Sequence, residues 1–192
     1  GGKIQSKEAD IKTIEKRTVK MGFRIEKANI NDYIPMAELI QKVWDQVENK
    51  AWFTADNAEY TYNALQEGNG IGYKAIDTDT GKLAAIFLVT IPGKSKENLG
   101  YDIGLPEEEM EYVASMDSIA VLAEYRGHGL QYKMMQNAEA ELKDLGFRYL
   151  MCTIHPDNKF SRDNVLKQGY KVAATKEKYG GYLRDVLVKT LL

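Results

Sequence analysis

The stretch of the sequence best suited to bind an anion is residues 121–131, which reads VLAEYRGHGLQ. It places the end of an apolar strand, a turn containing Gly127 and Gly129, and the start of a helical pattern in direct succession. The first N–H groups of a helix have no intrahelical acceptor, and the helix dipole adds roughly half a positive charge there. Because glycine has no side chain to keep an anion away, the stretch predicts a phosphate or pyrophosphate site. The alternative is that both glycines serve only the geometry of the turn.

Two common nucleotide-binding loops do not fit this stretch. A dinucleotide-binding loop of the GxGxxG type needs a third glycine where Tyr132 stands, and a P-loop needs Gly-Lys followed by Ser or Thr. The sequence therefore predicts a phosphate site of another class.

The stretch resembles the coenzyme-binding loop of the GNAT superfamily of acyl-CoA-dependent N-acetyltransferases, which reads Gln/Arg-x-x-Gly-x-Gly/Ala after a strand. Arg126 and Gly129 match this motif, while Gln131 replaces the usual Gly or Ala with a side chain that can point outward. The resemblance implies acetyl-CoA as the cosubstrate, no metal, and a pyrophosphate held by the residues of the loop. These residues are Arg126, Gly127, His128, Gly129, Leu130 and Gln131. It also implies that the main chain at Ile119, Ala120 and Val121 lies along the pantetheine arm and supplies the oxyanion donor.

A second stretch resembles another GNAT motif, Asn-x-x-Ala/Ser-x-x-x-Tyr-x-Lys-x-Gly-Phe/Tyr. The matching residues are Asn158, Ser161, Lys167, Gly169 and Tyr170. The resemblance covers about residues 22–190 and is strongest over residues 112–190. It implies that Asn158 and Ser161 contribute to coenzyme binding.

The candidate general base lies on the strand before the loop. Because strand side chains alternate, Ser115, Asp117, Ile119 and Val121 are expected to share one face. GNAT relatives commonly carry their base four or six positions before the equivalent of Val121, which here means Asp117 or Ser115. Asp117 can titrate, and partial burial would raise its pKa toward a useful value. The alternative is that Asp117 caps a turn or pairs with an arginine.

The general acid is harder to assign, since Val165 stands where many relatives carry a tyrosine that protonates the thiolate. Water is one alternative. Tyr179, in a late loop between the last two strands, is another candidate, unless it is only a turn aromatic packed on the sheet. Trp52 and Phe53, in a loop between the first two helices, are candidates for acceptor binding. Cys152 is expected to lie in the core.

The surrounding pattern predicts an α/β (α+β) domain built on a central mixed, mostly antiparallel, twisted sheet. We expect about six or seven strands flanked by about four or five helices. The resemblance to the GNAT superfamily implies, in addition, a splayed strand pair that holds the acyl-CoA. An Asp79-Thr-Gly81 turn joins two of the strands in a hairpin. Residues 21–192 are expected to form this domain, and residues 1–20 a flexible or expression-derived extension or a docking helix.

Composition narrows the class of protein further. The chain has 192 residues, 44% hydrophobic and 28% charged, a net charge of −2 and one cysteine. These values favour a cytoplasmic globular protein that binds neither nucleic acid nor membrane, as a monomer or homodimer. The predicted function is transfer of an acetyl group from acetyl-CoA to a primary amine on a small-molecule or peptide acceptor. The alternative is a non-catalytic coenzyme A-binding regulatory module of the same fold.

Overall fold

A computed structural model describes residues 22–53 and 55–191. The predicted extension, residues 1–20, lies outside the described residues. The helices and strands follow one another as β1 (Phe23–Lys27), α1 (Tyr33–Gln46), α2 (Ala58–Ala64), β2 (Gly70–Asp77), β3 (Leu83–Thr90), β4 (Val113–Val121), α3 (Leu130–Asp144), β5 (Tyr149–Ile154), α4 (Lys159–Lys167), β6 (Lys171–Lys178) and β7 (Tyr182–Thr190).

The seven strands of the described residues form one sheet in the order β1-β2-β3-β4-β5-β7-β6. Neighbouring strands run antiparallel except β4 and β5, which run parallel. A parallel pair needs a crossover, and here α3 provides it. The predicted mixed, mostly antiparallel sheet is therefore confirmed.

The core lies around β3, where every residue from Ala84 to Val89 is buried. Since strand side chains alternate, both faces of the sheet must be covered at this point. From α1, Met36, Ile40 and Val43 belong to the core, and α3 contributes Met134 and Leu142.

Side-chain caps begin two of the early helical segments. Asn57 accepts a hydrogen bond from the Tyr60 N–H and starts α2. Asn29 caps a short 3-10 turn, Ile30–Asp32, that leads directly into α1. None of the helices within residues 22–53 and 55–191 is long and apolar enough to cross a membrane.

The parallel pair β4–β5 separates soon after it begins. Pairing is limited to Val113, Ala114 and Ser115 on β4. Just beyond, β4 contains a bulge against β3, because Leu88 pairs with Ser118 and Val89 with Met116. Asp117 lies between those two pairs and has no partner on β3. A bulge redirects a side chain and bends its strand, so the sheet opens next to Asp117.

Candidate active site

The predicted phosphate loop presents a row of free backbone N–H groups. Among the described residues, the N–H groups of residues 127–132 find no backbone acceptor, and the next one, on Lys133, donates to the Gly129 carbonyl. Residues 130–132 form the first turn of α3, where the helix dipole is positive. Six consecutive donors at a helix start fit the oxygens of a pyrophosphate.

The two glycines of this loop adopt left-handed backbone conformations. Gly127 has a φ of 84° and Gly129 a φ of 70°. A Cβ added at either position would meet no protein atom within 4 Å. The glycines therefore permit the turn that directs the N–H groups outward, and they also leave open space in front of them.

The other side chains of the loop differ in direction. Arg126 is exposed, whereas Leu130 is buried, which leaves its main chain as the part able to contact a ligand. His128 is half-buried, with its ring 5.4 Å from that of Phe23. Gln131 lines the central cleft. Gln131 is half-buried, so the position where the family usually has Gly or Ala belongs to the wall of the cleft here.

The segment that precedes the loop is hydrogen-bonded to the β2–β3 hairpin through Tyr125. The Tyr125 hydroxyl donates a 2.8 Å hydrogen bond to Oδ2 of Asp77, and both residues are buried. This hydrogen bond lowers the pKa of Asp77, with help from the Asp79 N–H. The loop therefore has a fixed anchor two residues before Gly127.

The main chain of β4 offers free groups on its open edge. The Leu122 N–H donates to the Ala84 carbonyl on the β3 side. Since backbone groups alternate in an antiparallel ladder, Ala120 also points toward β3, while Ile119 and Val121 point toward the gap. Ile119 and Val121 are thus placed as predicted for the coenzyme arm, whereas the main chain of Ala120 is used in the sheet.

A cleft of about 910 Å³ lies where β4 and β5 separate. Ser115, Met116, Asp117, Ser118 and Ile119 line it from β4. The less buried positions of β4 are Ser115, Asp117, Ile119 and Val121, as the alternation predicts. The cleft therefore reaches from the open edge of β4 to the first turn of α3.

Asp117 is the titratable group at the centre of this cleft. Its side chain is exposed by surface area but lies within the cleft, whose walls surround it. Withdrawal from water raises the pKa of Asp117 to about 7, and the charges of Asp56 and Glu97 contribute to this rise. The Tyr60 hydroxyl donates a hydrogen bond to Oδ2 of Asp117, which opposes the rise. A carboxylate whose pKa lies near neutral pH is suited to act as a general base.

A second carboxylate lies beside the first. The Ser118 hydroxyl donates a 3.2 Å hydrogen bond to Oδ2 of Asp56, and burial raises the pKa of Asp56. Glu97 also lines the cleft. No group of three His, Cys, Asp or Glu side chains within the described ranges could hold a metal ion.

The comparisons with known proteins agree with this geometry. A sequence model of the acetyltransferase (GNAT) family matches residues 31–170. The chain belongs to the GNAT acetyltransferase family. The predicted resemblance is therefore confirmed. A search of curated proteins finds no match.

Solved structures of other GNAT proteins share the fold at low sequence identity. A GNAT acetyltransferase from Streptococcus pneumoniae superposes with a TM-score of 0.66 at 14% identity, over 88% of this chain and 100% of that one. NAA60 from Arabidopsis thaliana, in complex with acetyl-CoA, gives 0.69 at 10% identity, over 88% and 99%. The protein yncA from Salmonella typhimurium, with its cofactor acetyl-CoA, gives 0.64 at 17% identity, over 89% and 95%. Two of these three proteins were thus solved with acetyl-CoA.

The second GNAT motif forms the start of α4. Asn158 is its N-cap, and its side chain accepts a 3.4 Å hydrogen bond from the Ser161 N–H. Both residues line the cleft, so they remain candidates for coenzyme contacts. Val165 is buried on the cleft wall and has no proton to give.

Tyr179 reaches the GNAT cleft from the loop between β6 and β7. Its hydroxyl lies 2.8 Å from Oγ1 of Thr153, and both residues line the cleft. Enclosure of the hydroxyl raises the pKa of Tyr179, and the charge of Asp117 adds to this rise. Tyr179 has a φ of 54°, a strained conformation for a residue other than glycine. Tyr179 therefore remains a candidate for the general acid.

The predicted acceptor residues also line the cleft. Trp52 ends a short 3-10 turn, Lys50–Trp52, between α1 and α2, and Phe53 follows it directly.

Ser115 lies in the last pair of the parallel ladder, opposite Met151. Cys152 is buried on the cleft wall, and burial raises the pKa of its thiol to about 12, so it stays a neutral part of the core.

Several cleft residues were not identified from the sequence as site residues. Asp56, Tyr60, Glu97 and Arg184 all line the cleft. Asp56 precedes the Asn57 cap and is indistinguishable in sequence from any acid near a helix start. Tyr60 belongs to an aromatic-rich segment, and this richness was the only sequence feature that pointed to a site there. Contact between these residues and β4 depends on tertiary packing that sequence patterns do not encode.

Proposed function

We propose that this protein transfers an acetyl group from acetyl-CoA to a primary amine by direct attack of the amine on the thioester. The observation that carries the proposal is the position of Asp117. Its pKa is about 7, and it faces the cleft at the point where β4 leaves β5. The candidate base thus lies beside the open edge of β4.

The loop residues fit the coenzyme by their chemistry. Residues 127–132 offer N–H donors for the pyrophosphate, and the main chain of Ile119 and Val121 offers hydrogen bonds to the pantetheine arm. When bound, acetyl-CoA supplies the activated acyl group. An N–H group on the open edge of β4 would stabilise the negative charge that develops on the carbonyl oxygen.

The proton transfers are assigned to side chains of the cleft. Asp117 accepts a proton from the ammonium group of the acceptor, directly or through one water, and so generates the attacking amine. A carbon–nitrogen bond then forms as the carbon–sulfur bond breaks. The nitrogen then gives up its second proton and the leaving thiolate takes one up, with the Tyr179 hydroxyl or a water passing the proton between them.

The acidic part of the cleft favours an amine acceptor. Asp56, Glu97 and Asp117 line one region of it. A second cavity of about 420 Å³ adjoins this region, since it shares Asp56, Tyr60 and Asn63 with the cleft. Its only charged lining residues, among those described, are Asp56 and Glu59. Amines are ammonium ions at neutral pH, so a negatively charged entrance attracts them.

Two measurements test the proposed function. Titration calorimetry should detect binding of acetyl-CoA, and a thiol-release assay should detect coenzyme A when primary amines are added. Binding without turnover on any amine would favour the coenzyme-binding regulatory module instead. Absence of heat with every acyl-CoA would contradict both functions.

A further inference from the structure

Arg184, on β7, is a buried cation on the wall of the cleft. The residue is only 4% exposed, and its guanidinium donates to the carbonyls of Leu183 at 2.8 Å and Ala51 at 2.6 Å. Within residues 22–53 and 55–191, no carboxylate forms an ion pair with it. Burying a cation in this way is costly unless an anion compensates it. Burial accordingly lowers the pKa of Arg184.

Two further cations, Lys96 and Lys178, line the cleft, and Lys178 has its partner within the chain. Lys178 forms a 2.8 Å ion pair with Oδ2 of Asp102. Arg184 instead lies near two aromatic rings, 5.9 Å from the centroid of Tyr179 and 5.5 Å from that of Tyr182. Such rings attract a guanidinium but leave its remaining N–H groups able to donate.

The cleft therefore has two charged sides. Asp117 and Asp56 lie on the side of β4 and α2, while Arg184 faces the same cleft from β7. Tyr179 lines the same cleft, and its ring lies beside the Arg184 guanidinium. A guanidinium matches the two oxygens of a carboxylate, which it binds through parallel hydrogen bonds.

We infer that the acceptor is an amino acid, a small molecule that carries both a primary amine and a carboxylate. Arg184 binds the carboxylate, and Asp117 faces the ammonium group that becomes acetylated. This inference rests on the proposed function and specifies its substrate class. The same chemistry is present at the carboxyl end of a dipeptide, so the test includes both sources.

The test compares acceptors that differ only in the carboxylate. Glycine, β-alanine, 4-aminobutanoate and lysine are each paired with the amine that lacks the carboxylate, and glycylglycine is paired with its amide. Thiol release is measured at saturating acetyl-CoA. For at least one pair we expect kcat/KM to be about tenfold or more higher with the carboxylate present, the gain typical of a charge-assisted hydrogen-bonded pair. The pair with the largest ratio distinguishes a free amino acid from a dipeptide.

Substitution of Arg184 separates binding from structure. Arg184→Gln should reduce the ratio of kcat/KM with and without the carboxylate toward one. Arg184→Lys should retain part of this preference, since lysine keeps the charge but loses the forked geometry. Arg148→Gln is the matched control. Arg148 pairs with Glu109 away from the cleft, so this variant should keep the wild-type ratio. In the wild type, short carboxylic acids without an amine should inhibit competitively with the acceptor, which tests the inference even if the Arg184 variants do not fold.

Two outcomes would overturn the inference while leaving the proposed function intact. One is equal turnover of every acceptor with and without its carboxylate. The other is that Arg184→Gln lowers kcat/KM equally for both members of each pair. Arg184 would then have only a structural role, as a hydrogen-bond donor to the Ala51 carbonyl. If no amine supports thiol release and acetyl-CoA gives no heat, the proposed function itself fails.

Discussion

The hydroxyl of Tyr60, on α2, donates a hydrogen bond to Oδ2 of Asp117, at the bulge of β4. The contact joins a helix and a strand across the cleft and holds one carboxylate oxygen of the proposed base. The described residues place no hydrogen-bond donor on Oδ1, which leaves that oxygen for the acceptor. The same hydrogen bond lowers the pKa of Asp117 against the stronger effect of its withdrawal from water.

Tyr60→Phe should therefore move the pKa of Asp117 above 7. The acidic limb of the profile of kcat/KM against pH should shift to higher pH, and turnover at pH 7 should fall because less Asp117 is ionised. Tyr62→Phe is the control. Tyr62 lies on the same helix but is exposed and packs its ring against Tyr33. An unchanged profile in Tyr60→Phe would show that the hydrogen bond does not tune the base.

Asp117→Asn tests the base itself. An amide cannot take the proton of the ammonium group, so kcat at neutral pH should fall about a hundredfold or more. The affinity for acetyl-CoA, measured by calorimetry, should change little, because the proposed pyrophosphate contacts come from backbone N–H groups of residues 127–132 and not from this side chain. Asp144→Asn, an exposed position at the end of α3, provides the control. Full activity of Asp117→Asn across the pH range would exclude Asp117 as the base.

Gly129→Ala and Gly146→Ala form a matched pair at the two ends of α3. Both glycines have a positive φ, 70° and 91°, and a Cβ at either would meet no protein atom. Each substitution should thus cost about 1–2 kcal/mol of stability through backbone strain. Only Gly129→Ala should weaken acetyl-CoA binding, by about tenfold, since it disturbs the N–H donors. Equal coenzyme affinity in the two variants would argue that the loop does not hold the pyrophosphate.

The loop was predictable because its information is contiguous in sequence. A strand end, two glycines and a helical pattern follow one another, and each is a local preference of the backbone. The alternation that grouped Ser115, Asp117 and Ile119 was predictable for the same reason. The bulge at Asp117 was not, because it depends on the register between β3 and β4.

Long-range partners of the site were also beyond sequence patterns. Tyr60 stands 57 positions before Asp117, and the hydrogen bond between them exists only because α2 packs near the open edge of β4. Arg184 has an ordinary strand position, and its burial follows from the turn that contains Ala51. In each case tertiary packing decides the contact.

Tyr125→Phe tests whether the anchor of the loop matters. The variant loses the hydrogen bond to the buried Asp77, so Tm should fall by about 3 °C. The affinity for acetyl-CoA should fall as well, because the segment before Gly127 is less fixed. Tyr101→Phe removes a 3.2 Å hydrogen bond from an exposed hydroxyl to the Lys94 carbonyl, remote from the loop, and should leave the affinity unchanged. A loss of stability without any loss of affinity would limit Tyr125 to a structural role.

The raised pKa of Asp117 also predicts how stability depends on pH. The carboxyl has a pKa of about 7 in the folded protein and 3.8 as its ordinary value, so between these values the folded state holds a proton that the unfolded state has lost. The stability contributed by Asp117 therefore falls as pH rises through this window and stays low above it. Asp117→Asn removes the ionisation. Relative to the wild type, the urea midpoint of Asp117→Asn should be higher at pH 8 than at pH 4.5, whereas Asp144→Asn should show no such trend. A difference of the opposite sign would mean that Asp117 is stabilised as the carboxylate, as in an ion pair, and would remove the basis for its role as a base near neutral pH.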